Sequence, residues 1–245
     1  MKIAIVISGQ PRNVEKTFFT GIKNNVLDCN AQHDIDVFVH TWLSKDDIGN
    51  GHLSAQDSIY NRSSTASDVV SQNIIGDIYN LYFPKKILVE EQIDFDIKGY
   101  NENKTDDNKF INPLFSLSKM YSTKRANALK MEYERENGFV YDMQLSTRFD
   151  ISFDSKIIFD DADGSAINTI PTNPGAVDVT FSFSNSNVGN IWATLFDNIE
   201  EYFYKDKILF CDEWLMYRHL VKNNIKINTL KDFHRHIVRK DGFNY

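Results

Sequence analysis

Five consecutive apolar residues, Ile3, Ala4, Ile5, Val6 and Ile7, stand near the start of the chain and give way to Ser8-Gly9. An uninterrupted apolar run ended by a turn pair predicts a strand buried on both faces, as parallel sheets require. Val14 to Leu27 predicts a helix, with Asn13 as its N-cap and Glu15 and Lys16 in the first turns. Asp36 to Trp42 predicts a second buried strand, and strand, helix and strand at this spacing make a right-handed βαβ unit. Ile74 to Tyr82 reads as a helix and Lys86 to Glu90 as a short strand. From Leu114 to Glu136 the apolar positions Leu114, Leu117, Tyr121, Ala128 and Met131 fall near helical spacing, and Gly138 is placed to end that helix. Tyr141 to Phe153 alternates as one strand. Tyr141, Met143, Leu145, Thr147 and Phe149 share one face, while Asp142, Gln144, Ser146, Arg148 and Asp150 share the other. Val179 to Phe183 then reads as a strand, and Val188 to Tyr202 and Asp212 to Asn223 as helices. Two polar stretches, Ser44 to Ser71 and Asn101 to Asn108, read as surface loops, the first long enough to be functional or mobile.

Strands alternating with helices place the chain in the α/β class, with a central, mostly parallel sheet flanked by helices in one domain of 245 residues. The net charge of −7 excludes a long groove for nucleic-acid phosphates, which depends on clustered Lys and Arg, but leaves room for a small anion held by a few local cations. Cys29 and Cys211 are too few for a disulfide framework and read as reduced thiols of a cytoplasmic protein. The apolar run at Ile3 is too short for a signal peptide and is followed by Gly9-Gln10-Pro11-Arg12 without a cleavage site. No stretch approaches the ~20 apolar residues that cross a bilayer, so a soluble protein is expected.

In sheets of this kind ligands bind at the carboxyl ends of the strands. Three segments end there with polar side chains. Ser8-Gly9-Gln10-Pro11-Arg12 combines a glycine that permits close backbone approach with a guanidinium suited to phosphate oxygens, or it is an ordinary turn with a solvated arginine. His40 either bonds a ligand or holds a neighbouring loop. Arg148 and Asp150 project to one side around Phe149, an arrangement that suits a diphosphate met by a cation and by a carboxylate-held metal, or else a plain salt bridge.

Taken in order, Ser8-Gly9-Gln10 with Arg12, Asp36 to Trp42, Lys124 to Leu129, Tyr141-Asp142, Thr147-Arg148-Phe149-Asp150, Asp178 with Phe181, and Asp212-Glu213-Trp214-Leu215 resemble the GT-A-like glycosyltransferases of bacterial capsule and lipopolysaccharide loci and of large viruses. The resemblance spans nearly the whole chain. It implies a nucleotide half in about the first 150 residues and an acceptor half after it, a nucleotide-diphosphate sugar donor and a glycan acceptor. On that resemblance Ser8, Gly9, Gln10, Arg12, His40, Lys124, Asn127 and Arg148 are donor-site candidates. Asp150 is the candidate ligand of a manganese or magnesium ion, with His234 and His236 the first further ligands to examine if a metal proves essential. Glu213 and Asp212 are the candidate bases. The sequence departs from the family where an arginine, Arg148, fills the first acidic position of the usual Asp-x-Asp motif, and where Ser146 replaces a further arginine. Adjacent acids at a helix start point about 100° apart, so one is expected to cap and the other to face the cleft. Asp212 is the better cap and Glu213 the better base. The competing readings are a nucleotidyltransferase and a carbohydrate-binding protein of the same fold without catalysis.

Overall fold

A computed structural model describes residues 1–11, 13–43, 72–101 and 113–238. The expected loop at Ser44 to Ser71, nearly all of that at Asn101 to Asn108, and Arg12 lie outside them. The chain begins with β1 (Lys2–Ser8), α1 (Val14–Thr17), a π-helical continuation Phe18–Leu27 and a 3-10 turn Asp28–Asn30. Then come β2 (Asp34–Leu43), α2 (Gln72–Tyr82), β3 (Lys86–Glu91) and the single turn α3 (Lys98–Asn101). The long helix α4 (Pro113–Asn137) leads into β4 (Met143–Arg148) and β5 (Ile151–Phe153). The rest comprises β6 (Ala166–Thr169), β7 (Phe181–Ser184), α5 (Ser186–Ala193), short 3-10 and π turns at Thr194–Asn198 and Glu201–Lys205, α6 (Asp212–Lys222), β8 (Lys226–Thr229) and β9 (Arg235–Ile237).

Seven strands form one sheet in the order β3-β2-β1-β4-β7-β6-β8, and β5 pairs with β9 in a small second sheet. β3, β2, β1 and β4 are parallel neighbours, β7 runs antiparallel between β4 and β6, and β8 is parallel to β6. The α/β class with a mostly parallel sheet flanked by helices is thus the observed architecture. Alternation along β1 divides the core. Ile3, Ile5 and Ile7 pack with Phe18, Ile22, Val26, Ile75 and Ile78 on one face, and Ala4 and Val6 pack with Phe38, Ala126 and Tyr141 on the other. A further core joins α4 to the carboxyl-terminal helices through Leu117, Met120, Trp192, Leu215 and Met216.

Several boundaries differ from expectation. The strand expected to run from Tyr141 to Phe153 breaks after Arg148, because Phe149 and Asp150 turn the chain so that Ile151 can pair with Ile237 of β9. Asn13 takes a left-handed conformation with no side-chain cap to α1. The helix expected from Val188 to Tyr202 starts at Ser186, capped by Asn185 accepting from the Val188 amide at 2.9 Å, and its regular part ends at Ala193. Gly138 takes φ +69° just past α4, the left-handed stop the sequence implied.

Beneath the sheet ends, α4 is anchored by a buried polar network. The Lys130 ammonium, fully buried, donates to Asn190 at 2.8 Å and to Ser186, and lies 3.2 Å from the Glu134 carboxylate one turn on. Asn127 donates to Asn190 and accepts from Gln144 of β4, both at 2.9 Å. Burying an ammonium is unfavourable unless it is paired and hydrogen-bonded, and here it is both. No helix among the described residues is long and apolar enough to cross a membrane.

Candidate functional site

The strand order reverses direction at β1: β2 and β3 are added on one side of it, β4 on the other. In open α/β sheets the crevice at such a switch, outside the carboxyl ends of the strands, is where ligands bind. Register brings Ser8, His40 and Arg148 side by side at that edge. The expected candidates Ser8, His40 and Arg148 are therefore neighbours by backbone pairing alone, and Gly9 and Asp150 follow within two residues of the strand ends.

On one side of the crevice a chain of hydrogen bonds fixes the turn after β1. Gly9, at φ +99°, donates its amide to the Ser122 hydroxyl at 2.8 Å, with the His40 carbonyl 3.2 Å away. Ser122 lies 2.7 Å from His40 Nδ1, and His40 Nε2 lies 2.7 Å from Glu90 Oε2. Arg125 holds the same carboxylate through two nitrogens at 3.0 and 3.2 Å. Burial lowers His40 to about 4, outweighing the pull of Glu90. Burial works against ionised Glu90, yet the bonds from Arg125 and His40 hold its carboxyl below the usual range. The proton positions follow. Neutral His40 donates from Nε2 to the Glu90 carboxylate and accepts at Nδ1 from Ser122, whose oxygen is then free to accept from Gly9. His40 and Ser122 are fully buried, so of the two roles expected for His40 this geometry favours holding the loop. Ser8 is likewise buried, with its hydroxyl 3.2 Å from Thr123.

On the other side lies a cluster of charges. Arg148 donates to Asp150 at 2.5 Å and Arg235 to Asp178 at 2.6 Å, while Lys119 pairs with Asp212. The Val177 amide donates to the Glu213 carbonyl at 3.2 Å, which sets Asp178 beside the start of α6, and Arg148 acts electrostatically on Lys119. The acids of α6 and the Arg148–Asp150 pair, more than sixty residues apart in sequence, thus meet around Lys119. Burial and the nearby Arg148 press the Lys119 ammonium below the usual lysine range, opposed by Asp178 and Glu213. Burial raises the Glu213 carboxyl, Asp178 adds to it, and Lys119 and Arg235 offset part of the effect. Lys119 and Thr123 also line a pocket walled by Val179, Trp192, Leu195 and Met216.

The expected division between the two acids is corrected in one respect. Cys211 occupies the N-cap of α6, and Asp212, the first helical residue, pairs with Lys119 instead of capping. Glu213 has no direct ion pair among the described residues. Lys124 takes Asp197 as its partner, and Asn127 belongs to the buried network around Lys130. His236 pairs with the exposed Asp154 at 2.5 Å, and His234 donates its amide to Ser155. Among the described residues no three His, Cys, Asp or Glu side chains converge to hold a metal ion. The carboxylate of Asp150, the expected ligand, is engaged by Arg148.

Lys119 and Arg235 were not singled out by sequence. Lys119 stands three and four residues before Ser122 and Thr123, on one face of α4 over the strand ends, and that shared spacing is a usable signal. Arg235 carries no local signal, because only the β5–β9 pairing brings it to Asp178. Neither a protein-family model nor a curated protein matches the sequence.

Proposed function

We propose that the protein is a GT-A-like glycosyltransferase that moves a sugar from a nucleotide-diphosphate donor to a glycan hydroxyl. The observation that carries the reading is the meeting, at the switch point of the sheet, of fixed cations with one carboxylate, Glu213, that no cation among the described residues pairs with directly. Cations beside Arg148 suit the diphosphate, and Glu213 suits the acceptor. In a single displacement the acceptor oxygen forms a bond to the anomeric carbon as the bond from that carbon to the β-phosphate oxygen breaks. The electron pair of the broken bond leaves with the nucleoside diphosphate, and the acceptor proton passes to Glu213.

A nucleotidyltransferase is less well matched, since the turn after β1 holds one glycine and no lysine between Ser8 and Arg12. Incubation with a panel of nucleotide sugars and simple glycan acceptors, with released nucleoside diphosphate as the readout, tests the reading. Release stimulated by an acceptor is expected. Sugar binding with no release from any donor would identify a binding protein instead, and release of pyrophosphate from a nucleoside triphosphate would identify nucleotidyl transfer.

A further inference from the structure

We propose that Lys119, Arg148 and Arg235 form the seat of the donor's leaving diphosphate, and that no divalent cation takes part in holding it. The identity of the ligand rests on the glycosyltransferase reading, while its chemistry rests on the ion pairs. Divalent ions such as magnesium and manganese need several oxygen ligands, mostly carboxylate and phosphate. At these strand ends Asp150, Asp178 and Asp212 are each already bound to a cation of the protein. A metal ion entering here would break those pairs and meet three positive side chains.

The same three side chains suit an anion. Lys119 and Arg148 are near enough to repel each other, and their side chains are only 20% and 25% exposed. Each is already paired with one carboxylate, so what a multiply charged anion adds is oxygen acceptors for the hydrogens that those pairs leave over. Donors remain to bind it. An ammonium has three hydrogens and a guanidinium five, against the one carboxylate that each now serves. The Nε of Arg235 is buried with no hydrogen-bond partner among the described residues. When the bond from the anomeric carbon to oxygen breaks, the departing nucleoside diphosphate gains one unit of negative charge. Cations already fixed in place stabilise that charge without reorganising.

Calorimetric titration of the full chain with uridine and guanosine diphosphate, in excess chelator and again in magnesium, tests the proposal. The better ligand is expected to bind in chelator within about threefold of its affinity in magnesium, a difference under about 0.7 kcal/mol. Weakening by tenfold or more in chelator would overturn the metal-free seat. Lys119→Gln and Arg148→Gln are each expected to lose about tenfold or more in chelator, the size of a charged hydrogen bond. Urea unfolding reports whether each variant folds, and Lys119→Arg, which keeps the charge, is expected to retain binding. Full affinity in both folded Gln variants would also overturn the seat. If neither nucleotide binds under either condition, the donor-site reading itself fails. Tight binding in chelator without sugar transfer from any donor would support the seat and overturn the glycosyltransferase reading.

Discussion

Acid should loosen the turn after β1 through a single imidazole. His40 sits fully buried between Glu90 and Ser122, and its ordinary value near 6.5 falls to about 4 in the folded chain. Because the folded value is depressed, the unfolded chain binds a proton that the folded chain refuses between those two pH values. Stability from this group is therefore complete above about pH 6.5 and is lost as pH falls through about 4. At 1.36 kcal/mol per unit, the difference amounts to about 3 kcal/mol. Urea unfolding of the wild type and of His40→Gln, followed from pH 7 to pH 4, isolates this contribution from the carboxylates, which titrate in both proteins. The stability advantage of the wild type is expected to shrink by about 3 kcal/mol across that range. A difference between the two proteins that stays constant from pH 7 to pH 4 would refute the neutral, buried imidazole and the proton arrangement built on it. Ser122→Ala gives an independent check: it deprives Nδ1 of its donor and is expected to cost about 1–3 kcal/mol at neutral pH.

On the proposed function, Glu213→Gln should abolish acceptor-dependent release of nucleotide while leaving diphosphate affinity unchanged, since a proton acceptor serves the chemical step. Its raised folded value means that Glu213 contributes stability below the ordinary glutamate range and loses it as pH rises through the folded value. The Gln variant should therefore melt higher than the wild type at pH 7 and lose that advantage toward pH 4, as thermal scans at the two pH values would show. Gly21→Ala would place a methyl group 2.5 Å from the Ile151 carbonyl oxygen, which is backbone, so denaturant titration should register a loss of about 1–3 kcal/mol. Lys130→Met leaves Glu134 buried without its cation and is expected to cost about 3–5 kcal/mol in the same assay.

The sheet centre was legible where its strands are apolar on both faces: Ile3 to Ile7 allows few other interpretations, and β2 followed from it as the second strand of a βαβ unit. β6 and β8 were not legible. Each is four residues long with polar Asn and Thr in its second half, and each is defined by pairing Ala166 with Lys226 across a wide stretch of chain. The turn at Phe149 and Asp150 escaped notice because β5 keeps the alternation of β4, and only its union with β9 shows the break. At the candidate site, Arg148, Asp150 and Glu213 stood out as charged residues at element ends. Lys119 looked like any lysine on a long helix until α6 brought Asp212 to it. Asp212 was expected to cap because acids favour helix starts, but an ammonium within reach offers the carboxylate a stronger partner than a backbone amide does.

Helix α4 ties the buried network around Lys130 to the charges at the strand ends. Its far part is clamped at Lys130, while Lys119, about 16 Å nearer the other end along the axis, reaches the strand-end charges. A tilt of only about 5° about the clamp would swing Lys119 by about 1.4 Å, enough at a reacting centre to cost on the order of a hundredfold in rate. If the protein transfers a sugar as proposed, substitutions around Lys130, Ser186 and Asn190 are expected to change turnover without touching substrate, through an angle instead of a contact. On the proposed function, such a protein can be adjusted from its foundation, and selection for altered activity is expected to find hits there as readily as in the crevice.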